Sequence, residues 1–187
     1  KAQHEHASFG ITQKNVVKSV ADAQAKAREL TAEHKIPWMI EEFVPGREFN
    51  VSLVDTPRGP RTLPVAEIVF ENYAGSGLYN IVDYNAKWSE QSFEYKNTVR
   101  SYDFPASDSR LLKALEEISL KVWKGFDLRG WARVDFRVDP QNNPYVVDVN
   151  ANPDLSLDAG FMAAARRAEI APEEAVRMIT DAAFAAA

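Results

Sequence analysis

Arg133, Asp135, Asp148 and Asn150 are the residues whose types and spacing are best suited to chemistry on a metal-bound phosphate. Trp131, Arg133, Asp135 and Arg137 alternate with Ala132, Val134, Phe136 and Val138, the period-2 pattern of a strand with one apolar face. Val147 and Val149 alternate likewise with Asp148 and Asn150, and Asp139-Pro140-Gln141-Asn142-Asn143-Pro144 between the two runs is turn chemistry. Residues 130–155 therefore predict an antiparallel hairpin. With its turn centred between Gln141 and Asn142, Asp135 falls opposite Asp148, on the face that carries Arg133 and Asn150. Two carboxylates facing each other at roughly 5 Å repel. Mg2+, commonly held by one or two carboxylates and substrate phosphates, would reverse that cost. Arg133 supplies a fixed positive charge for a phosphate or oxyanion. The plain alternative is a solvated hairpin face on which Arg133 and Arg137 pair the aspartates.

The elements that must position this hairpin are legible in outline. Residues 16–34 predict a helix with Val17, Val20, Ala21, Ala27 and Leu30 on its apolar side. Residues 37–44, PWMIEEFV, predict a strand ending at the turn Pro45-Gly46, and residues 48–55 and 62–70 continue an antiparallel set. Residues 71–100 show no clear period and are expected to form an ordered, lid-like connection, with Tyr73, Tyr79, Tyr84, Trp88 and Phe93 as anchors. Residues 107–126 place Leu111, Leu112, Leu115, Ile118 and Val122 at helical spacing. After the hairpin, residues 156–168 and 172–186 are alanine-rich helices, the second opened by Pro172 with Glu173 and Glu174 in its first turn. The order helix, meander, lid, helix, hairpin, two helices is that of an α+β chain.

Composition narrows the function. The 187 residues are 45% hydrophobic, enough for one core or two small lobes. A net charge of -5 and no Lys/Arg run argue against a nucleic-acid binder. The absence of cysteine excludes disulfides and thiolate metal sites and fits a cytoplasmic location. With no apolar run of about 18 residues, neither a membrane span nor a membrane partner is expected. No signal peptide is read, although the sequence starts at Lys1 without Met. His4 and His6 lack a third neighbouring ligand and are expected to face solvent. Lys1 followed by a loop ending in Ser8-Phe9-Gly10 could cradle phosphate through backbone N–H groups, but matches no Walker A spacing.

Taken together, four stretches resemble the ATP-grasp superfamily, and most closely its D-alanine–D-alanine ligase branch. These are KxxxExxSxGI at residues 1–11, IEEFVPGREFNV at 40–51, IVDYNAKW at 81–88, and GWARVDFRVD with VVDVNANPDLSLDAGF at 130–161. They occur in the family's order and cover nearly the whole chain. The resemblance implies two α+β lobes with mostly antiparallel sheets, divided into a partial small lobe over residues 1–55 and a large lobe over 56–187. It implies that Lys1 and Lys87 contact ATP phosphates while Ser8 and the Phe9–Gly10 backbone cover them. Glu41 would accept from the adenine amino group, and the Phe43 and Val44 backbone would read the adenine edge. Glu48 would bond the ribose, with Ile81 and Val147 as apolar walls. Asp135, Asp148 and Asn150 would hold Mg2+, or Mn2+, and Arg133 would meet the transferring phosphoryl group.

The implied activity is an ATP-dependent carboxylate–amine ligase working through an acyl phosphate, with a small-molecule acid and amine as substrates. The alternatives are a non-catalytic nucleotide-binding module or inactive fragment, and a phosphotransferase on the same fold. Three departures from the branch stand out. Asp148 occupies a position where Glu is usual, Asn152-Pro153-Asp154 replaces a Ser-Pro-Gly-like segment, and Leu157-Asp158-Ala159 lacks the polar residues that meet D-alanine. Asp154 or Asp158 is therefore expected to face a different, amine-bearing acceptor. The family's N-terminal substrate domain is not in this sequence, so a partner segment or self-association is expected to cover exposed strand edges.

Overall fold

A computed structural model describes residues 1–5 and 7–185; the expectation for His6, and the last residue of the helix expected over 172–186, lie outside them. The chain divides into two compact units, Lys1–Pro45 with Val69–Val99, and Gly46–Ile68 with Arg100–Ala187. This differs from the single cut expected after residue 55. The reason is strand pairing: β1 (Arg47–Val54) pairs along its whole length with β5 (Trp131–Val138), so both must belong to one unit.

The second unit is built on that pair. β1 also pairs with β2 (Arg61–Thr62) and β3 (Ala66–Phe70), while β5 pairs with β6 (Pro144–Asn150). With β4 (Thr98–Ser101), the strand order is β4-β3-β1-β5-β6, with β2 beside β1. Residues 62–70 do not run as one strand, because Pro64 has no N–H to give a ladder. Alternation along β1 and β5 sorts the side chains by face. Phe49, Val51 and Leu53 stand opposite Phe136, Val134 and Ala132, all fully buried, and α4 (Ser109–Gly125) lays Leu111, Leu115 and Trp123 on the same cluster. Burial of a side chain the size of Phe136 contributes about 2–3 kcal/mol.

The opposite face is polar for three successive pairs, Glu48 with Arg137, Asn50 with Asp135, and Ser52 with Arg133. It turns apolar at Val54 and Trp131, where α5 (Gly160–Arg167) and α6 (Pro172–Ala185) cover it with Phe161, Met162, Ala165 and Ala175. α5 starts later than the expected residue 156. The Asp154 carboxylate accepts from the Ser156 N–H (2.8 Å) and hydroxyl (2.7 Å), holding residues 154–159 in turns.

The first unit carries α1 (Val20–His34), preceded by a short 3-10 turn, Gln13–Asn15, rather than a helix from residue 16. Ser19 caps α1 by accepting from the Asp22 N–H (3.1 Å). No residue of α1 is buried, and Val20 is 73% exposed. Of its expected apolar side, Val17, Ala27 and Leu30 line a cavity together with Ala23 and Lys26, whereas Val20 and Ala21 are exposed. Residues 37–44 do not form a regular strand. Their ladder is the single bridge Trp38 to Ala2, flanked by Met39 N–H to Lys1 O (2.7 Å) and Gln3 N–H to Pro37 O (3.0 Å). A paired segment this short cannot extend a ladder. The expected lid over 71–100 instead holds α2 (Tyr84–Trp88), α3 (Phe93–Lys96) and the start of β4. Asp83, buried, caps α2 through the Ala86 N–H (2.9 Å), and Ser92 caps α3 through Tyr95 N–H (3.0 Å). Helices of four or five residues are too short to show a hydrophobic period.

Gly10 takes φ +62°, and a Cβ there would lie 2.5 Å from the Trp38 ring, so the loop closes on the indole only with glycine. Among the described residues no helix is long and apolar enough to cross a membrane.

Candidate active site

The hairpin brings together the residues expected to act on phosphate. Asp135 lies opposite Asp148 and Arg133 opposite Asn150, as the alternation predicts. The turn itself is centred one half-step earlier, since Phe136 faces Val146 and Val138 faces Pro144. The register steps by one at Val147, and that bulge restores the facing aspartates. Asp139 builds the turn by accepting from Gln141 N–H (2.9 Å), Asn143 N–H (2.8 Å) and the Asn143 amide (2.9 Å).

The Asn143 side chain and backbone, with Gln141 and Tyr145, hold the Asp139 carboxyl below its ordinary range. A carboxyl lowered in the native state stabilises the fold above the ordinary carboxylate pKa, and this is lost as pH falls through the lowered value. Asp139→Asn is therefore expected to flatten the acid limb of a thermal-unfolding profile while leaving the neutral-pH fold in place. An acid limb equal to that of the unsubstituted protein would refute it.

At the centre of the polar face, Arg133 donates to Asp135 in a fork, Nε to Oδ1 (2.7 Å) and Nη2 to Oδ2 (2.8 Å). Asn50 Nδ2 donates to Oδ1 (2.8 Å) and Asn150 Nδ2 to Oδ2 (3.0 Å). Both oxygens of this buried carboxylate are thereby held. Burial is the largest single effect on the Arg133 guanidinium and opposes its charge. Asp135, with Asp148 and Glu48 behind it, outweighs burial and holds the group above the ordinary arginine value. Asp148 is exposed and accepts the Val149 N–H (3.0 Å). Glu48 accepts from Arg137 Nη1 (3.2 Å).

Asn50 was not singled out from the sequence. Its signal was available, because Glu48, Asn50 and Ser52 alternate with Phe49, Val51 and Leu53. Only the pairing of β1 with β5 shows which strand they meet.

The described residues contain no cluster of three or more His, Cys, Asp or Glu able to cage a metal ion. Asp135, Asp148 and the Asn150 amide form an all-oxygen set with two carboxylates. That fits Mg2+ or Mn2+, whose remaining ligands come from phosphate and water.

In the first unit, Lys1, Glu41, Phe43 and Ile81 line one open cavity with Lys26 and Met39. Lys1 Nζ pairs with Glu41 Oε1 at 3.2 Å, and the rings of Phe43 and Tyr79 meet edge-on at 5.8 Å. Ala7, Ser8 and Gly10 are consecutive left-handed positions save for Phe9. The Ser8 hydroxyl donates to Val82 O (2.8 Å) and the Trp88 indole to Ala7 O (3.0 Å). The loop therefore packs on the segment that carries Lys87, which is half-buried on α2. Ser8, Gly10 and Lys87 do not line the cavity with Lys1 and Glu41. Val44 follows Phe43 and is half-buried.

Comparison with known proteins bears on this geometry. The family model described as D-ala D-ala ligase C-terminus matches residues 1–180. The D-alanine--D-alanine ligase of Bordetella avium (strain 197N) is 31% identical over 167 residues, covering 89% of this chain and 47% of that protein. That of Janthinobacterium sp. (strain Marseille) is 28% identical over 158 residues, 83% of this chain and 44% of its own. Among solved structures, the Bacillus anthracis D-alanine--D-alanine ligase complexed with ATP superposes with a TM-score of 0.67 at 20% identity, covering 91% of this chain and 48% of that one. The VanG D-Ala:D-Ser ligase of Enterococcus faecalis superposes at 0.66 and 20% identity, over 93% of this chain and 46% of its own. The chain thus spans about half the length of the curated relatives it matches. Its fold is the α+β ATP-grasp arrangement of those ligases. With the family model matched over almost every residue, the chain belongs to the D-Ala–D-Ala ligase C-terminus family.

Proposed function

We propose that this chain is the ATP-binding and catalytic portion of an ATP-dependent carboxylate–amine ligase. The observation that carries the reading is the Arg133–Asp135 fork, flanked by Asp148, Asn150 and Asn50 on one sheet face, in a chain of this family. Arg133 is proposed to donate to the transferring phosphoryl group as a substrate carboxylate oxygen attacks the γ-phosphorus of ATP and ADP leaves. The amine then attacks the acyl carbon of the acyl phosphate, phosphate leaves, and the nitrogen loses a proton. Asp135, Asp148 and Asn150 would hold Mg2+ or Mn2+, which when bound neutralises charge on the ATP oxygens.

The remaining roles are those that the family resemblance implies. Lys1 and Lys87 are proposed to neutralise ATP phosphates, with Ser8 and Gly10 in the loop over them. Glu41 and the Phe43 and Val44 backbone would read adenine, Ile81 and Val147 would wall the purine, and Glu48 would bond the ribose. Because Glu41 meets Lys1 and Glu48 meets Arg137, each would share its carboxylate with the nucleotide. The names of the relatives suggest D-alanine as acid or amine. Asp154 and Asp158 make an amine-bearing acceptor with a further cationic group the first alternative to test.

The test is ADP release by the intact natural protein across a panel of D- and L-amino acids and small peptides, with hydroxylamine present. Substrate-dependent ADP with hydroxamate formation supports ligation through an acyl phosphate. ADP with a stable phosphorylated product instead identifies a phosphotransferase. Lys87→Ala is expected to weaken ATP binding about tenfold to a hundredfold, the range of a charge-assisted hydrogen bond. Calorimetric titration with ATP and Mg2+ measures it, and an unchanged dissociation constant rules the contact out.

A further inference from the structure

One side chain of the first unit joins the turn that follows Gly10 to the helix that carries Lys87. Gln13 opens that turn and is half-buried. Both ends of its amide are used. Nε2 donates to Asp83 Oδ2 (3.3 Å), and Oε1 accepts from the Tyr79 N–H (2.8 Å). The partners lie 70 and 66 positions away in the chain, so a single amide fastens residues 79–83 at both ends.

Asp83 passes the constraint on. It is 1% exposed, and its other oxygen, Oδ1, is the one that caps α2 through the Ala86 N–H. A helix of only five residues has almost no hydrogen-bond ladder of its own, so its cap carries much of its stability. Lys87 is the fourth residue of that helix. A buried carboxylate relies on the donors aimed at it. Without the Gln13 amide, Oδ2 loses a donor and the cap loses its fixed orientation.

The turn is itself tied to the loop before it. Asn15 accepts from the Thr12 N–H (3.0 Å) and donates its amide to Gly10 O (3.2 Å), while the Tyr84 N–H at the start of α2 donates to Ile11 O (2.9 Å). Gln13 thus stands within a run of hydrogen bonds leading from Gly10 to α2.

We propose that Gln13 is a positioning residue for the nucleotide. Its amide orients Asp83, Asp83 caps α2, and the helix so fixed holds Lys87 in one place relative to the loop of Ser8 and Gly10. The contact of Lys87 with phosphate rests on the function proposed above; the link from Gln13 to α2 does not.

Two measurements on the intact protein test this: amide hydrogen exchange at Ala86, and calorimetric titration with ATP and Mg2+. Gln13→Met keeps the bulk of the side chain and removes both hydrogen bonds. It is expected to speed exchange at Ala86 and to weaken ATP about threefold to tenfold, the range of a hydrogen bond, while leaving adenosine, which has no phosphate, unaffected. Gln13→Lys still donates to Asp83 but cannot accept from Tyr79. Gln13→Glu still accepts from Tyr79 but sets a carboxylate against Asp83. Gln13→Lys is therefore expected to recover most of the ATP affinity, and Gln13→Glu to lose at least as much as Gln13→Met. In a Lys87→Ala background, Gln13→Met is expected to cost no further ATP affinity, because the two changes act on one contact. A general loosening of the unit would instead add its own loss and weaken adenosine as well. Unchanged exchange at Ala86 in Gln13→Met, equal losses in Gln13→Met and Gln13→Lys, or additive losses in the double variant overturns the proposal. If Lys87→Ala leaves ATP affinity unchanged while Gln13→Met still speeds exchange at Ala86, the phosphate role of Lys87 falls and the link from Gln13 to α2 stands.

Discussion

Arg133→Ala is expected to lower substrate-dependent ADP release by about two to three orders of magnitude, the loss seen when one preorganised oxyanion donor is removed. The size follows from its setting. The guanidinium is mostly buried, locked by the fork to Asp135, and needs no reorganisation to meet a developing charge. Arg133→Lys keeps the charge but cannot make the same fork, so it is expected to recover only part of the rate. In Arg133→Ala the Asp135 carboxylate keeps Asn50 and Asn150 as donors, so the fold is expected to persist. Near-normal turnover with a normal unfolding midpoint would remove Arg133 from the reaction. Asp135→Ala is the harsher change, since it strands a buried guanidinium and is expected to cost about 3 kcal/mol of stability besides activity.

The second large effect is structural. Gly46, at φ +122°, begins the second unit just before β1, and a Cβ there would lie 2.2 Å from Val138 O. That oxygen is backbone, in the residue that pairs with Arg47 on one side and Pro144 on the other, so it cannot step aside without opening the β1–β5–β6 ladder. Gly46→Ala is expected to destabilise by about 3 kcal/mol, combining backbone strain with a steric conflict. In a chain of this size that corresponds to a midpoint lowered by roughly 6–12 °C. Gly59→Ala is the matched control. Gly59 also has positive φ (+100°) but nothing within 4 Å, so only the conformational part, about 1 kcal/mol, is expected. Equal midpoints for the two variants would show that the contact with Val138 carries no weight. Because Arg137, the partner of Glu48, also reaches Gly46 O (3.4 Å), Gly46→Ala is expected to disturb Glu48 as well.

What the sequence determined by itself was the content of the hairpin. Strict alternation from Trp131 to Val138 fixes which side chains share a face, whereas the facing of Asp135 and Asp148 also needs the bulge at Val147, which the turn residues do not announce. The same local logic located α4 and α6, whose apolar spacing and opening residues are written in consecutive positions. The four motifs, read in order, also carried the family, which matching over residues 1–180 bears out.

Tertiary structure decided the rest, because the information was not local. Whether residues 37–44 become a strand depends on a partner, and the partner here is a three-residue stretch at Lys1. The inward side of α1 depends on what lies beneath it, which adds Ala23 to the expected Ala27 and Leu30 and leaves Val20 and Ala21 exposed. Asn50 joined Asp135 only because β1 pairs with β5, 85 positions apart in the chain. Alternation and capping act between neighbours in sequence and can be read there. Pairing and packing act between neighbours in space, which only the folded chain defines.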